Sequence, residues 1–219
     1  MRQCFTRRGH GFTLIELLVA ISLMALMAVL SWRGLDGISR AQGQLLGRAD
    51  QVQTLQTTLG QWTADLDAMA EQPDLPGLDW DGRALRILRR ASTEADAGLR
   101  VVAWTQRSVN GLGQWLRWQS PPLQNRSDLD LAWQKAALWA QSPGDDDRLR
   151  EVQTVALDGW QIFYFRQNAW TNPLSSTGTD DARATLPEGV RLVLSLAPGQ
   201  AISGTLTRDW VQPLLGGGK

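Results

Sequence analysis

The sequence predicts an α+β protein in which a long N-terminal helix precedes a β-rich globular domain. Three observations support this: an apolar run from Phe12 to Trp32, a stripe of apolar residues at helical spacing that extends it to Met69, and short alternating segments after Pro73. The chain has 219 residues, of which 43% are hydrophobic and 20% charged. This is enough for one globular domain with a sizeable core and an appendage.

The first element is a membrane-spanning helix over residues 12–32. At about 1.5 Å per residue the run is about 30 Å long, which is enough to cross a bilayer. Only four residues interrupt it: Thr13, Glu16, Ser22 and Ser31. Arginines but no acids precede the run, so the positive-inside rule places the N-terminus in the cytoplasm and the remainder across the membrane.

Glu16 distinguishes this segment from an ordinary signal. A secretory signal peptide has a shorter apolar core and a small-x-small cleavage site, and a lipoprotein signal ends at its cysteine, whereas Cys4 precedes the run. A carboxylate at the centre of a membrane helix costs roughly 2.5–3.5 kcal/mol, and less near the helix end. We therefore interpret Glu16 as functional; the alternative is a side chain that reaches up to the membrane surface.

The second element, residues 33–72, continues the helix as an amphipathic segment. Its apolar residues recur at intervals of three, four and seven: Leu35, Ile38, Leu45, Ala49, Val52, Leu55, Leu59, Trp62, Leu66 and Met69. No proline occurs before Pro73, so the helix is expected to end there. The apolar stripe should pack against the globular domain, with coiled-coil pairing as the alternative.

Residues 73–219 form the β-rich domain. The predicted strands are Ala84–Arg90, Leu99–Gln106, Gln114–Gln119, Gln153–Asp158, Gln161–Arg166, Val190–Ala197 and Ile202–Asp209. Asp128–Ala140 is predicted as a short helix or an irregular stretch, while Ser142–Asp147 and Pro173–Asp181 are predicted as loops.

The residues Gly11–Ala20, GFTLIELLVA, resemble the class III signal of type IV pilins and type II secretion pseudopilins. The resemblance implies that a prepilin peptidase cuts between Gly11 and Phe12, removes residues 1–11 as a cytoplasmic leader, and N-methylates Phe12. It also implies that the Glu16 carboxylate pairs with the Phe12 amino group of a neighbouring subunit during assembly. An ammonium and a carboxylate that meet in a low dielectric offset each other's cost of burial.

Two further stretches, WRGLD at Trp32–Asp36 and LPEGVRLVL at Leu186–Leu194, resemble the minor pseudopilin J family of type II secretion. The arrangement of Leu149–Leu157, Trp160 and Trp170 is similar to the late strands of that family. A minor pilin of a type IV pilus or competence system is the alternative, because it would share every feature before Arg33.

The resemblance implies a pilin-like fold, in which the N-terminal helix packs on antiparallel β-sheets. It implies a single-pass protein of the bacterial inner membrane with a periplasmic C-terminal domain. The implied partners are the prepilin peptidase, the minor pseudopilins I and K in a complex at the pseudopilus tip, the major pseudopilin G whose assembly this tip primes, and secreted cargo. Such a subunit supports export of folded proteins across the outer membrane and is not an enzyme.

Composition agrees with a structural role. The 22 basic and 22 acidic residues cancel, which argues against nucleic-acid binding. The only cysteine and histidine, Cys4 and His10, lie in the leader, so a processed chain would lack a Cys nucleophile, a Ser-His-Asp triad, zinc ligands of these types and disulfides. We assign no catalytic residue, metal or cofactor.

Two clusters allow a second interpretation. Most of the 11 tryptophans are expected in the core, although Trp115 and Trp118 next to two prolines could bind a glycan; three positions apart, they should lie on opposite faces of a strand. The acids of Asp145–Asp147 and Asp180–Asp181 could bind calcium, but their spacing is not that of an EF-hand, and solvated loops are the favoured interpretation.

Overall fold

The computed structural model describes residues 12–72, 77–91, 98–174 and 186–213. Its elements in chain order are α1 (Leu14–Asp67), β1 (Leu78–Trp80), β2 (Ala84–Arg90), β3 (Leu99–Val109), β4 (Leu112–Gln119), α2 (Arg126–Gln141), α3 (Asp145–Arg148), β5 (Glu151–Arg166), β6 (Ala169–Thr171), β7 (Gly189–Leu196) and β8 (Gly204–Val211). The predicted α+β class is confirmed. The chain forms two compact units that divide between Arg48 and Ala49.

In the first unit, the described residues are helical from Leu14 onward. The large apolar side chains from Phe12 to Leu46 are between 52% and 84% exposed, so no part of this unit covers them. This stretch of α1 is long and apolar enough to cross a membrane. A lipid phase or neighbouring helices would have to bury these side chains, because water solvates them poorly.

In the second unit, α1 ends at Asp67 rather than near Pro73 as predicted. The chain leaves the helix because its next backbone groups pair with the sheet: the Ala70 N–H donates to the Leu88 carbonyl at 2.8 Å. A tertiary hydrogen bond therefore ends the helix before the proline is reached.

The second unit is built on an antiparallel eight-stranded sheet in the order β1-β2-β3-β4-β5-β7-β8, with β6 also paired to β5. The two predicted strands Gln153–Asp158 and Gln161–Arg166 are one strand, β5, which passes through an irregularity between Leu157 and Gly159. Its first half pairs with β4 and its second half with β7. Strands β1 and β6, each three residues long, were not predicted.

Two hydrophobic cores lie on opposite sides of the sheet. The first packs the last turns of α1 against it and contains Trp62, Trp104 and Trp115. The second lies under α2 and contains Trp118 and Trp139. The predicted short helix at Asp128–Ala140 is therefore confirmed as α2, and it covers the back of β2 and β3.

Trp115 and Trp118 lie in these different cores, as predicted from their spacing. They are 0% and 1% exposed, so neither presents a ring face on which a sugar could stack.

Candidate functional site

Helix α1 begins with a capping box in which Thr13 and Glu16 bond to each other. Thr13 directly precedes α1, and its N–H donates to the Glu16 Oε2 at 3.0 Å. The Thr13 hydroxyl donates to the same oxygen at 2.9 Å, and the Glu16 N–H is 3.4 Å from that hydroxyl oxygen. Thr and Glu three positions apart satisfy each other's backbone donors at a helix start, and the negative charge also suits the helix dipole.

This geometry gives Glu16 a local role that the sequence interpretation did not consider. Glu16 lies four residues after Phe12, and both side chains are exposed, Phe12 to 84%. Gly11 and the rest of the predicted leader lie outside the described residues. The Glu16 charge can thus be held by its own helix start and still be accessible to a neighbouring chain.

The WRGLD stretch lies on the exposed part of α1. Asp36 forms an ion pair with Arg40, which lies one turn later in the helix; Arg40 Nη2 is 2.7 Å from Asp36 Oδ2. Trp32 and Leu35 are 74% and 65% exposed. These side chains are therefore accessible in the isolated chain.

In the second unit, the fully buried carboxylate of Asp65 joins α1 to the sheet. Its Oδ2 accepts from Trp104 Nε1 at 2.9 Å and from Arg117 Nε at 2.7 Å. Its Oδ1 accepts from Gln61 Nε2 at 2.9 Å and Arg117 Nη2 at 2.8 Å. Arg89 forms an ion pair with the same oxygen.

The Asp65 network places one negative charge between two guanidinium groups from β2 and β4. Removing one charge of a buried ion pair leaves its partner's charge uncompensated, which costs several kcal/mol of folding free energy. The network therefore strongly favours this position of the helix end. Two residues further, Asp67 accepts from Trp210 Nε1 at 2.7 Å and links α1 to β8.

The LPEGVRLVL stretch leads into β7, which begins at its glycine, Gly189, and lies between β5 and β8. Val190, Leu192 and Leu194 are fully buried. A Cβ on Gly189 would lie 3.0 Å from the Trp210 carbonyl oxygen, closer than ordinary Cβ contacts, which favours glycine here. This stretch therefore contributes to the core of the second unit.

Of the two acid clusters considered as calcium sites, only Asp145–Asp147 lies within the described residues. Ser142–Asp147 was predicted as a loop, but it includes α3, where Asp147 accepts the Gly144 N–H at 3.2 Å and lies 3.2 Å from the Lys135 ammonium. Asp180 and Asp181 lie outside the described residues. Within the described ranges, no group of three or more His, Cys, Asp or Glu could hold a metal ion.

Two comparisons with known proteins bear on the family of this chain. Residues 6–32 match the family model of the prokaryotic N-terminal methylation motif. The chain is also 26% identical over 198 residues, covering 88% of this chain and 91% of the relative, to type II secretion system protein J of Klebsiella pneumoniae. These findings confirm the predicted resemblance to pilin-like proteins and to the minor pseudopilin J family.

Together the motif and this relative support a pilin or pseudopilin role for the chain, anchoring in the inner membrane through α1, and partners within a pseudopilus. Both comparisons are with non-enzymatic proteins, in agreement with the expectation that the chain has no catalytic activity.

Proposed function

We propose that this protein is a structural minor pseudopilin of the type II secretion system. It is part of the complex at the tip of the pseudopilus, which primes assembly and supports export of folded proteins across the outer membrane. The observation that carries the proposal is the similarity to type II secretion system protein J, since it extends over 88% of the chain and includes both units.

Maturation begins at the junction between Gly11 and Phe12. The methylation motif spans residues 6–32 and therefore includes this junction. A prepilin peptidase cuts there on the cytoplasmic side and methylates the Phe12 amino group. The leader that contains Cys4 and His10 is removed, α1 remains in the inner membrane, and the second unit is periplasmic.

Glu16 is the assembly carboxylate. In the free chain its Oε2 is held by Thr13 through bonds of 2.9–3.0 Å, and it is open to solvent. When subunits meet in the membrane, this carboxylate pairs with the Phe12 ammonium of a neighbour. A carboxylate that is already ordered loses less side-chain entropy when it forms this pair.

The partners in the tip complex are the minor pseudopilins I and K, and the complex adds to the major pseudopilin G. The exposed apolar face of α1 supports this proposal, because side chains such as Leu35 and Leu45, both 65% exposed, have no cover in the first unit. Helices of neighbouring subunits would remove this apolar surface from water and lipid headgroups.

The test is co-purification of the full chain with tagged minor pseudopilins I and K from detergent-solubilised inner membranes. We expect a stable complex containing all three chains, and mass spectrometry should find an N-methylated Phe12 at the new N-terminus. An intact leader, or cleavage near Ser31, would refute the processing step. Recovery with type IV pilus assembly proteins instead of I and K would refute the secretion assignment.

A further inference from the structure

A groove of about 580 Å³ lies between α1 and the sheet in the second unit. Its floor includes one row of the sheet, because Trp104 on β3 pairs with Arg117 on β4, and Arg117 pairs with Val152 on β5. Residues directly opposite each other on paired strands have their side chains on the same face, here the face towards α1. The Arg117 side chain therefore lies between a buried indole and a 56% exposed aliphatic side chain.

The charges beneath this groove do not balance. Two guanidinium groups, those of Arg89 and Arg117, share the single carboxylate of Asp65, and neither forms an ion pair with any other described residue. Their side chains are only 11% and 12% exposed, and that of Asp65 is fully buried. Buried charges in proteins are normally paired, because removing an ion from water is costly. The cluster thus carries one positive charge in excess, which a bound anion would offset.

Arg117 has hydrogen-bond donors left for such an anion. Its Nε and Nη2 donate to Asp65 at 2.7 and 2.8 Å, and Nη2 also donates to Gln119 Oε1 at 3.0 Å. The two N–H groups of Nη1 have no partner among the described residues. Because Asp65 fixes the guanidinium plane, these donors are oriented before a ligand binds. The other acid of the groove, Asp50, is too distant to be their partner, since it lies about 16 Å along α1 from Gln61, which contacts Asp65.

The walls around this cation are polar but largely uncharged. Gln53, Thr57 and Gln153 line the groove, are exposed, and form no side-chain hydrogen bond with a described residue. Gln61 donates to Asp65 at 2.9 Å, which leaves its side-chain oxygen free to accept. Thr57 lies one turn before Gln61, about 6 Å along the helix. Amide and hydroxyl groups both donate and accept hydrogen bonds, as the hydroxyl groups of a sugar ring require.

We propose that the groove binds a sugar acid, a hexuronate whose carboxylate accepts from Arg117 Nη1 and whose hydroxyl groups bond with Thr57 and Gln153. The carboxylate supplies the missing negative charge through charge-assisted hydrogen bonds, which are about twice as strong as neutral ones. The exposed side chain of Val152 gives the ring an apolar contact beside the cation. A volume of about 580 Å³ is within the range of about 300–1,000 Å³ that small-molecule sites have.

The test is isothermal titration calorimetry of the full chain at low ionic strength, in micelles of a detergent without sugar headgroups. The probes are D-glucuronate and D-galacturonate, which differ in the orientation of one hydroxyl group. We expect saturable one-to-one binding of at least one of them. D-glucose and D-galactose lack the carboxylate, and N-acetyl-aspartate amide carries it on an acidic protein side chain without the hydroxyl groups. Each of these three should bind at least about tenfold more weakly.

Val152 allows the missing charge to be supplied from within the chain. Val152→Glu places a carboxylate at the position opposite Arg117, so it should weaken hexuronate binding at least about tenfold. Val152→Gln is the matched control, because its side chain has nearly the same shape as glutamate without the charge. It should still bind the hexuronate, and its Tm should be lower than that of Val152→Glu, in which the excess positive charge is offset.

A second pair of variants tests the helix wall. Thr57→Trp should fill the groove and abolish binding, whereas Gln56→Trp, at the adjacent exposed position that does not line the groove, should leave binding unchanged. Thermal unfolding of both variants checks that they are folded.

Failure of both hexuronates to bind would overturn the proposal. So would equal binding of the neutral sugars, which would exclude the role of the Arg117 charge, or equal binding of N-acetyl-aspartate amide, which would assign the site to an acidic side chain of a partner protein. Unchanged binding by Val152→Glu or by Thr57→Trp would place the ligand elsewhere and refute the site. None of these results depends on processing or on Glu16, so the proposed function is tested separately.

Discussion

Glu16 allows the assembly proposal to be tested against a purely local alternative. The carboxylate both caps its own helix and, as proposed, pairs with a neighbour's amino terminus. Glu16→Gln removes the charge but keeps a side-chain oxygen that can accept the Thr13 N–H, which now lies 3.0 Å from Oε2. Glu16→Ala removes both functions.

The two roles predict different losses of free energy in the two variants. Loss of a helix cap costs about 1 kcal/mol, and this loss should occur in Glu16→Ala but largely be avoided in Glu16→Gln. Leaving the neighbour's ammonium buried without its partner costs about 3–5 kcal/mol, or at least about a hundredfold in assembly equilibrium, and this loss should occur in both variants. If the pairing role holds, the two variants should therefore be almost equally defective.

The assay is the fraction of the chain recovered in pseudopili sheared from cells, together with secretion of a folded reporter. Thr13→Val is the matched control, because it removes the capping hydroxyl bonded at 2.9 Å and keeps the carboxylate. We expect leader cleavage in all three variants, and assembly only in Thr13→Val. Normal assembly of Glu16→Gln together with failure of Thr13→Val would show that capping, and not charge pairing, is the role of this residue.

The other predictions concern the second unit, measured as thermal unfolding of the full chain by tryptophan fluorescence. Asp65→Asn should lower Tm by roughly 6–20 °C, because it leaves two largely buried guanidinium groups, those of Arg89 and Arg117, without their counter-charge. The exposed Asp36→Asn should change Tm little, and equal effects of the two substitutions would contradict the anchoring role. Gly113→Ala would place a Cβ 2.2 Å from a backbone carbonyl oxygen and should cost about 1–3 kcal/mol, whereas Gly159→Ala, with no atom within 4 Å, should be tolerated. The hydrogen bond from Arg191 lowers the pKa of Asp209, so this pair should stabilise the fold slightly at neutral pH, and the stabilisation should be lost below about pH 4. A difference in Tm between the original chain and Asp209→Asn that does not change with pH would refute this.

The regular elements could be predicted because their patterns are local. Ala84–Arg90 has the predicted bounds, and α2 differs from its prediction by only a few residues. Alternation of apolar and polar residues identifies a strand wherever one face is buried. It could not show that Gln153–Asp158 and Gln161–Arg166 are one strand, because Asp158 and Gly159 resemble a turn and only pairing with β7 extends the strand through them.

The Asp65 network could not be predicted, since its members are far apart in the chain. Arg89, Trp104 and Arg117 lie 24, 39 and 52 positions beyond Asp65, and a single sequence gives no measure of such contacts. One local signal was present: Asp65 lies three residues after Trp62 and directly before Leu66, at the border of the buried stripe. An acid at such a position requires a partner from elsewhere in the fold.

The two halves of α1 depend on different surroundings, and this separates the effects of mutation. Up to Arg48 the large apolar side chains have no cover within their own unit, so substitutions there should change insertion or assembly and leave unfolding of the second unit unchanged. From Ala49 onward the helix has a core of its own, with Trp62 and Leu66 almost fully buried. Substitutions in that core should first lower stability and reduce assembly only as folded protein is lost. Glu16 and Asp65, two acids on one helix, should consequently fail in opposite assays: the first in assembly with normal Tm, the second in Tm with normal processing.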